Sequence, residues 1–261
     1  MDLQIIGAFT LTLVAGLCTG IGGLVVFFPN IKNDRFLSVS MSFAAGVMLY
    51  VSFVEMLPEA QFSLKDIFGN ACGGFLSLTL FFIGMMLVYL LDKLLPALFQ
   101  EGNKSHLSLN KTKSLYNTGL LVAIALAVHN FPEGIATFLS SINDFSMGIV
   151  ITIAIALHNI PEGVSVAMPI YFSTGNKWKA FRYSLFSGLA EPLGAIIVFL
   201  IVGNNVSDEL LSCCFAVISG VMVYISLVCL LPSSWEFGNK KDTLLGLILG
   251  MFIMAISLII A

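Results

Sequence analysis

Long apolar runs separated by short polar interruptions make up almost the whole of this chain. A helix needs about 20 apolar residues to cross the hydrocarbon core of a bilayer. Eight stretches meet that requirement, at roughly 4–28, 37–59, 71–95, 118–140, 147–170, 180–203, 210–231 and 243–261. The connections are short except one, over 96–117, whose "QEGNKSHLSLNKTK" is polar and charged. The pattern predicts an all-α polytopic membrane protein with one membrane domain over 1–261, and no separate soluble domain fits anywhere.

Composition agrees. The chain is 58% hydrophobic and 10% charged, against about 25% charged in soluble domains. Too little polar surface exists to clothe a water-exposed fold. The net charge of −3 is spread over few residues, which gives no basic patch for nucleic acid. Cys18, Cys72, Cys213, Cys214 and Cys229 lie in apolar stretches without a C-x-x-C pair, and read as small packed hydrophobes. No basic segment precedes the first apolar run, so the first span is expected to be retained.

Basic residues set the expected orientation. With the N-terminus outside, the cytoplasmic connections hold Lys32, Arg35, Lys93, Lys104, Lys111, Lys113, Lys177, Lys179, Arg182, Lys240 and Lys241, and the outer side holds Lys65 alone. Both termini are then expected outside. The chain also repeats itself: "GVMLYVSFVEMLP" (46–58) and "GVMVYISLVCLLP" (220–232) match at eight of thirteen positions. More weakly, 16–27 aligns with 188–199. Both pairs cross the membrane in opposite directions under this topology, as an inverted repeat requires. Chance similarity between apolar helices is the competing explanation.

Two polar motifs interrupt the apolar pattern: "HNFPEG" (129–134) and "HNIPEG" (158–163). His129 falls about 16 Å along span 4, near the midplane, and His158 is similarly central in span 5. A spacing of four puts His129 with Glu133, and His158 with Glu162, on one helix face. Antiparallel spans could point all four groups at one place. Pro132 and Pro161 deprive the carbonyls of Val128 and Leu157 of their helical donors, which predicts a local opening of each helix. Gly134 and Gly163 admit a second backbone. Span 6 adds "SGLAEPLGA", with Glu191 beside Pro192.

Each charge at the bilayer centre costs about 3 kcal/mol on insertion scales. Glu133, Glu162 and Glu191 bring three, with no Lys or Arg central in any span. A divalent cation offsets that charge, and a His/Glu/Asn donor set suits zinc, iron(II), manganese or cobalt. A polar knot pinning spans 4 and 5 together is the structural alternative, but it leaves the negative charge unmatched. Met48 and Glu55, seven apart in span 2, are expected to share a face. Glu55 and Glu59 lie towards the outer mouth, where they concentrate cations. Met48 reads as packing or as a neighbour of the metal, Met222 as core, and His106 as solvated.

The paired motifs, "AEPLGA" and the "AAGVML" of span 2 resemble the ZIP family of divalent-metal transporters, over essentially the whole chain. The resemblance implies a 3+2+3 bundle, with spans 1–3 and 6–8 related by inverted symmetry around spans 4 and 5, and an elevator motion of spans 1, 4, 5 and 6 against the others. It implies a binuclear centre. One metal would be held by His129, Glu133, His158 and Glu162 with Met48 close by; the second would involve Asn130, Glu133, Asn159, Glu162 and Glu191. The implied activity is uptake of zinc across the plasma membrane, with iron(II), manganese, cobalt and cadmium as further cargo. No prosthetic group is implied, and the partners are the metal ions and the lipid bilayer, with a homodimer left open. Some members carry Gln-Asp where His158-Asn159 stands here, and many have a histidine-rich connection where this chain has only His106.

The rival from another class is an intramembrane metalloenzyme built on the same cluster. A zinc protease needs H-E-x-x-H and a di-metal oxidase needs paired E-x-x-H; neither is present. A proton-driven carrier of an organic substrate would be expected to place aromatic or cationic groups at the midplane.

Overall fold

Eight helices of the computed structural model are long and apolar enough to cross a membrane; residues 3–29, 33–98, 107–201 and 207–260 are described. Span 1 is α1 (Leu3–Gly23) ending in a 3₁₀ turn over Leu24–Phe27, and span 3 is α4 (Asn70–Leu98). Spans 4 and 5 are the longest helices, α5 (Leu107–Asn143) and α6 (Phe145–Thr174), and span 8 is α11 (Lys240–Ile260).

Three spans are interrupted. Span 2 consists of α2 (Asp34–Val51), a π-helical turn over Ser52–Met56 and α3 (Leu57–Phe68). Span 7 has the same plan, with α9 (Asp208–Tyr224), a π turn over Ile225–Leu230 and α10 (Leu231–Phe237). In both, a serine caps the turn: Ser52 Oγ donates to the Met48 carbonyl at 2.6 Å, and Ser226 Oγ to the Met222 carbonyl at 2.8 Å. A proline follows each turn, Pro58 and Pro232, and withholds the N–H that would continue α-helical bonding. Span 6 divides at Leu189 into α7 (Lys177–Gly188) and α8 (Ala190–Ile201). Pro192 cannot donate to the carbonyl of Gly188, which lies where a side chain on Gly16 would otherwise sit.

Several expectations change here. Pro132 and Pro161 do not open their helices, because α5 and α6 run through them without interruption. The opening falls instead at Leu189. The polar stretch read as a connection over 96–117 is helical from Leu107 onward; no Gly or Pro occurs between 107 and 118, so the helix of span 4 propagates outward through it. His106, Lys104 and Lys32 lie outside the described residues. Met48 and Glu55 do not share an environment. The π turn inserts an extra residue and rotates the register, so Met48 is fully buried while Glu55 is exposed.

Packing is densest within two sets of helices, α1, α5, α6, α7 and α8, and α2, α3, α4, α9, α10 and α11, with α2 against α6 the main contact between them. Close approach within the first set depends on glycine. A Cβ on Gly163 would overlap the Thr19 carbonyl, and one on Gly134 would overlap the carbonyl of Glu191. Without a hydrophobic driving force between helices in lipid, such small-residue contacts carry much of the association. The second set is tied by a hydroxyl cluster in which Ser234 Oγ lies 3.0 Å from Ser38 Oγ and 2.8 Å from Thr243 Oγ1. Between the sets lies an apolar core including Met48, Val51, Leu126, Val166 and Ile225.

Candidate metal centre

Spans 4, 5 and 6 bring the predicted polar residues together. On α5 and α6 the four-residue spacing works as expected, and the antiparallel pair presents both motifs at one depth. Glu133 is the junction. Its Oε1 lies 2.8 Å from His158 Nε2, and its Oε2 lies 3.3 Å from His129 Nε2. Glu162 approaches from α6, with Oε1 3.5 Å from His129 Nε2. His129, Glu133 and His158 each offer one ligand atom within 4.8 Å of the others.

The two asparagines are held by backbone. Asn130 Nδ2 donates to the Ser187 carbonyl at 3.1 Å. Asn159 Nδ2 donates to the Ala15 carbonyl at 3.0 Å and to Glu191 Oε1. Both amides thereby turn their oxygens away from those contacts. Ala15 and Ser187 are positioning groups that sequence reasoning missed, since a main-chain carbonyl leaves no mark in the sequence. Only the small residues next to them, Gly16 and Gly188, hint at a close backbone.

All seven residues are buried. Among the described residues, eleven buried side-chain polar atoms make no hydrogen bond, and nine belong to this group: His129 Nδ1 and Nε2, Asn130 Oδ1, Glu133 Oε2, His158 Nδ1, Asn159 Oδ1, both oxygens of Glu162, and Glu191 Oε2. Of these, His129 Nε2, Glu133 Oε2 and Glu162 Oε1 face one another only at 3.3–3.5 Å. An unmade bond of this kind costs about 1–3 kcal/mol, more when the group is charged. Native proteins rarely leave such atoms without reason. No Lys or Arg is buried among the described residues to neutralise the three carboxylates. Ligands of a tetrahedral zinc ion, each about 2.05 Å from the metal, stand about 3.3 Å apart. The 3.3 and 3.5 Å separations around His129 are close to that edge, whereas His158 and Glu133, at 2.8 Å, make a hydrogen bond that a bound ion would replace.

Met48 is packed in the apolar core with Met222 and Met168. Glu55 and Glu59 are exposed and line a cavity of ≈ 340 Å³ whose inner wall carries Glu133 and His158. The cavity therefore joins the acidic end of span 2 to the buried cluster.

A family model described as ZIP Zinc transporter matches residues 2–114 and 100–258. The chain belongs to the ZIP family. Curated relatives named "Zinc transporter ZupT" include one from Lysinibacillus sphaericus, 46% identical over 100% of this chain and 99% of its own length. Another, from Streptococcus mutans, is 45% identical over 100% and 99%, and one from Campylobacter jejuni is 45% identical over 98% and 96%. Membership makes this a multi-pass membrane protein of a transporter family and removes the metalloenzyme alternative.

Asn159→Ala isolates the role of the amide. It deprives Glu191 of its donor and removes an oxygen from the cluster, and zinc affinity is expected to fall about tenfold, the equivalent of about 1.4 kcal/mol. Calorimetric titration of the purified protein measures it; an unchanged affinity would remove Asn159 from the centre.

Proposed function

We propose that the chain imports zinc across the cytoplasmic membrane through a binuclear centre at mid-membrane. The observation carrying this reading is the convergence of nine unsatisfied buried donor and acceptor atoms on seven residues of three spans. The first metal takes His129, Glu133, His158 and Glu162, with Met48 nearby in the apolar wall. The second takes Asn130, Asn159 and Glu191, with Glu133 and Glu162 shared. Nitrogen and oxygen donors also accept iron(II), manganese, cobalt and cadmium, so a broader range of cargo belongs to the same reading.

The basic residues favour an outer Glu55/Glu59 end. The cavity between those carboxylates and His158 is then an entry route, with the ion gathered by exposed charge and stripped of water against the buried cluster. The matching π turns and serine bonds of spans 2 and 7 favour an inverted repeat with both termini outside. The division of packing favours spans 1, 4, 5 and 6 moving as one body, because the whole centre lies on that body and the surface facing spans 2, 3, 7 and 8 is largely apolar.

The test is zinc uptake into vesicles holding the purified protein, with iron(II), manganese and cadmium in competition. Saturable zinc uptake is expected; vesicles no more permeable than protein-free controls would overturn the reading. Glu55→Ala is expected to raise the half-saturating zinc concentration about threefold to tenfold with little change in maximal rate, since it removes steering and not the centre. An unchanged concentration dependence would remove Glu55 from the entry route.

A further inference from the structure

A second cavity, of ≈ 650 Å³, opens between spans 4 and 6 on the side away from the entry cavity. Its walls carry Lys179 and Arg182 together with Trp178, Tyr183 and Phe186, and no carboxylate lines it. Among the described residues neither Lys179 nor Arg182 pairs with an acid. Lys179 is nonetheless held in place: its Nζ lies 4.6 Å from the centre of the Tyr116 ring, and Tyr116 Oη is 3.2 Å from Tyr183 Oη. Both cations lie within about 8 Å of the start of α7, the depth of lipid headgroups for a span that begins at the membrane face. Trp178 is 61% exposed, as a tryptophan at a membrane interface is.

The cavity continues. Ile124 and Ala127 also line a neighbouring groove of ≈ 540 Å³ that runs towards the midplane past Val128, Phe131, Pro132 and Leu193. That lane is apolar along its length. A basic, aromatic-rimmed basin thus opens into an apolar channel about 12 Å long, which matches a phosphate headgroup followed by an acyl chain and does not match a peptide or a soluble anion.

We propose that this surface is a binding site for one anionic phospholipid, its phosphate on Lys179 and Arg182 and one chain in the lane between α5 and α8. Charge complementarity selects the headgroup, and continuity of the two cavities selects a lipid over a free phosphate. The site adjoins the metal centre: Ser187, whose carbonyl holds Asn130, lines the basin, and Pro132 of the first motif lines the lane. The proposal does not depend on which ion the protein carries.

The experiment uses the full chain in nanodiscs of phosphatidylcholine containing a trace of diazirine-tailed phosphatidylglycerol or, separately, diazirine-tailed phosphatidylcholine. After photolysis, labelled peptides are mapped by mass spectrometry. Wild type is expected to label residues 124–132 and 190–193 with phosphatidylglycerol about 25-fold more than with phosphatidylcholine, from about fivefold for each of the two basic residues. Lys179→Gln with Arg182→Gln is expected to bring the two lipids to parity while retaining metal binding. Ile124→Trp, which fills the lane and keeps both cations, is expected to lose the labelling without loss of fold. Equal labelling by both lipids in wild type, or preference unchanged in the double variant, would overturn the proposal. So would loss of the preference on adding inorganic phosphate at millimolar concentration, which would mean an anion site without a tail. Nanodiscs holding two copies of the chain with no lipid labelling at these residues would equally overturn it and make the surface a dimer interface.

Discussion

Glu133→Gln is expected to reduce zinc uptake at least 100-fold while leaving the protein folded. The amide keeps the size of the side chain and removes the charge that both imidazoles face, at 2.8 Å from His158 and 3.3 Å from His129. A 100-fold loss corresponds to about 2.7 kcal/mol, within the range for removing a charged partner from buried polar contacts. Vesicle uptake measures the loss, and an unchanged melting temperature in detergent shows that the fold survives. Glu133→Gln differs in kind from Glu55→Ala: the first removes a shared ligand and the second removes a carboxylate exposed at a cavity mouth. Uptake by Glu133→Gln within a few-fold of wild type would mean that Glu133 is not the bridge between the two motifs.

Gly163→Leu is expected to cost about 3 kcal/mol or more of stability and to abolish uptake with it. A Cβ at 163 overlaps the Thr19 carbonyl and lies 2.9 Å from Ser184 Oγ. Gly22 makes the reciprocal contact, its Cβ position falling on the Ile160 carbonyl. The Thr19 and Ile160 carbonyls are backbone, so α1 and α6 must separate to admit the larger residue. That motion also draws the Ala15 carbonyl away from Asn159. The melting temperature of the purified variant in detergent is the measurement, and a value equal to wild type would mean that the α1–α6 contact is looser than described.

Much of the candidate centre was legible because its signals are electrostatic. A carboxylate and an imidazole four residues apart must share a helix face, and acids in an apolar span without a basic neighbour demand an explanation that packing does not supply. The eight apolar helices were legible for a similar reason, since length and hydrophobicity alone define a span. What the sequence hid depends on bonds made elsewhere. Pro132 and Pro161 suggest breaks, yet α5 and α6 continue past them, whereas α7 and α8 part at Leu189, where Gly188 and Pro192 together leave a carbonyl without a donor. The π turns of spans 2 and 7 are set by one inserted residue, which an apolar count does not register. That single residue separates Met48 from Glu55. The carbonyls of Ala15 and Ser187 were invisible, because any residue could have supplied them.

X-ray absorption at the zinc edge of the zinc-loaded, purified protein tests the central claim most directly. The account predicts a first shell of nitrogen and oxygen at about 2.0–2.1 Å with the outer-shell scattering of imidazole, and loss of that scattering in the His129→Ala, His158→Ala double variant. Imidazole scattering that persists in the double variant, or a shell dominated by sulfur at about 2.3 Å, would contradict it.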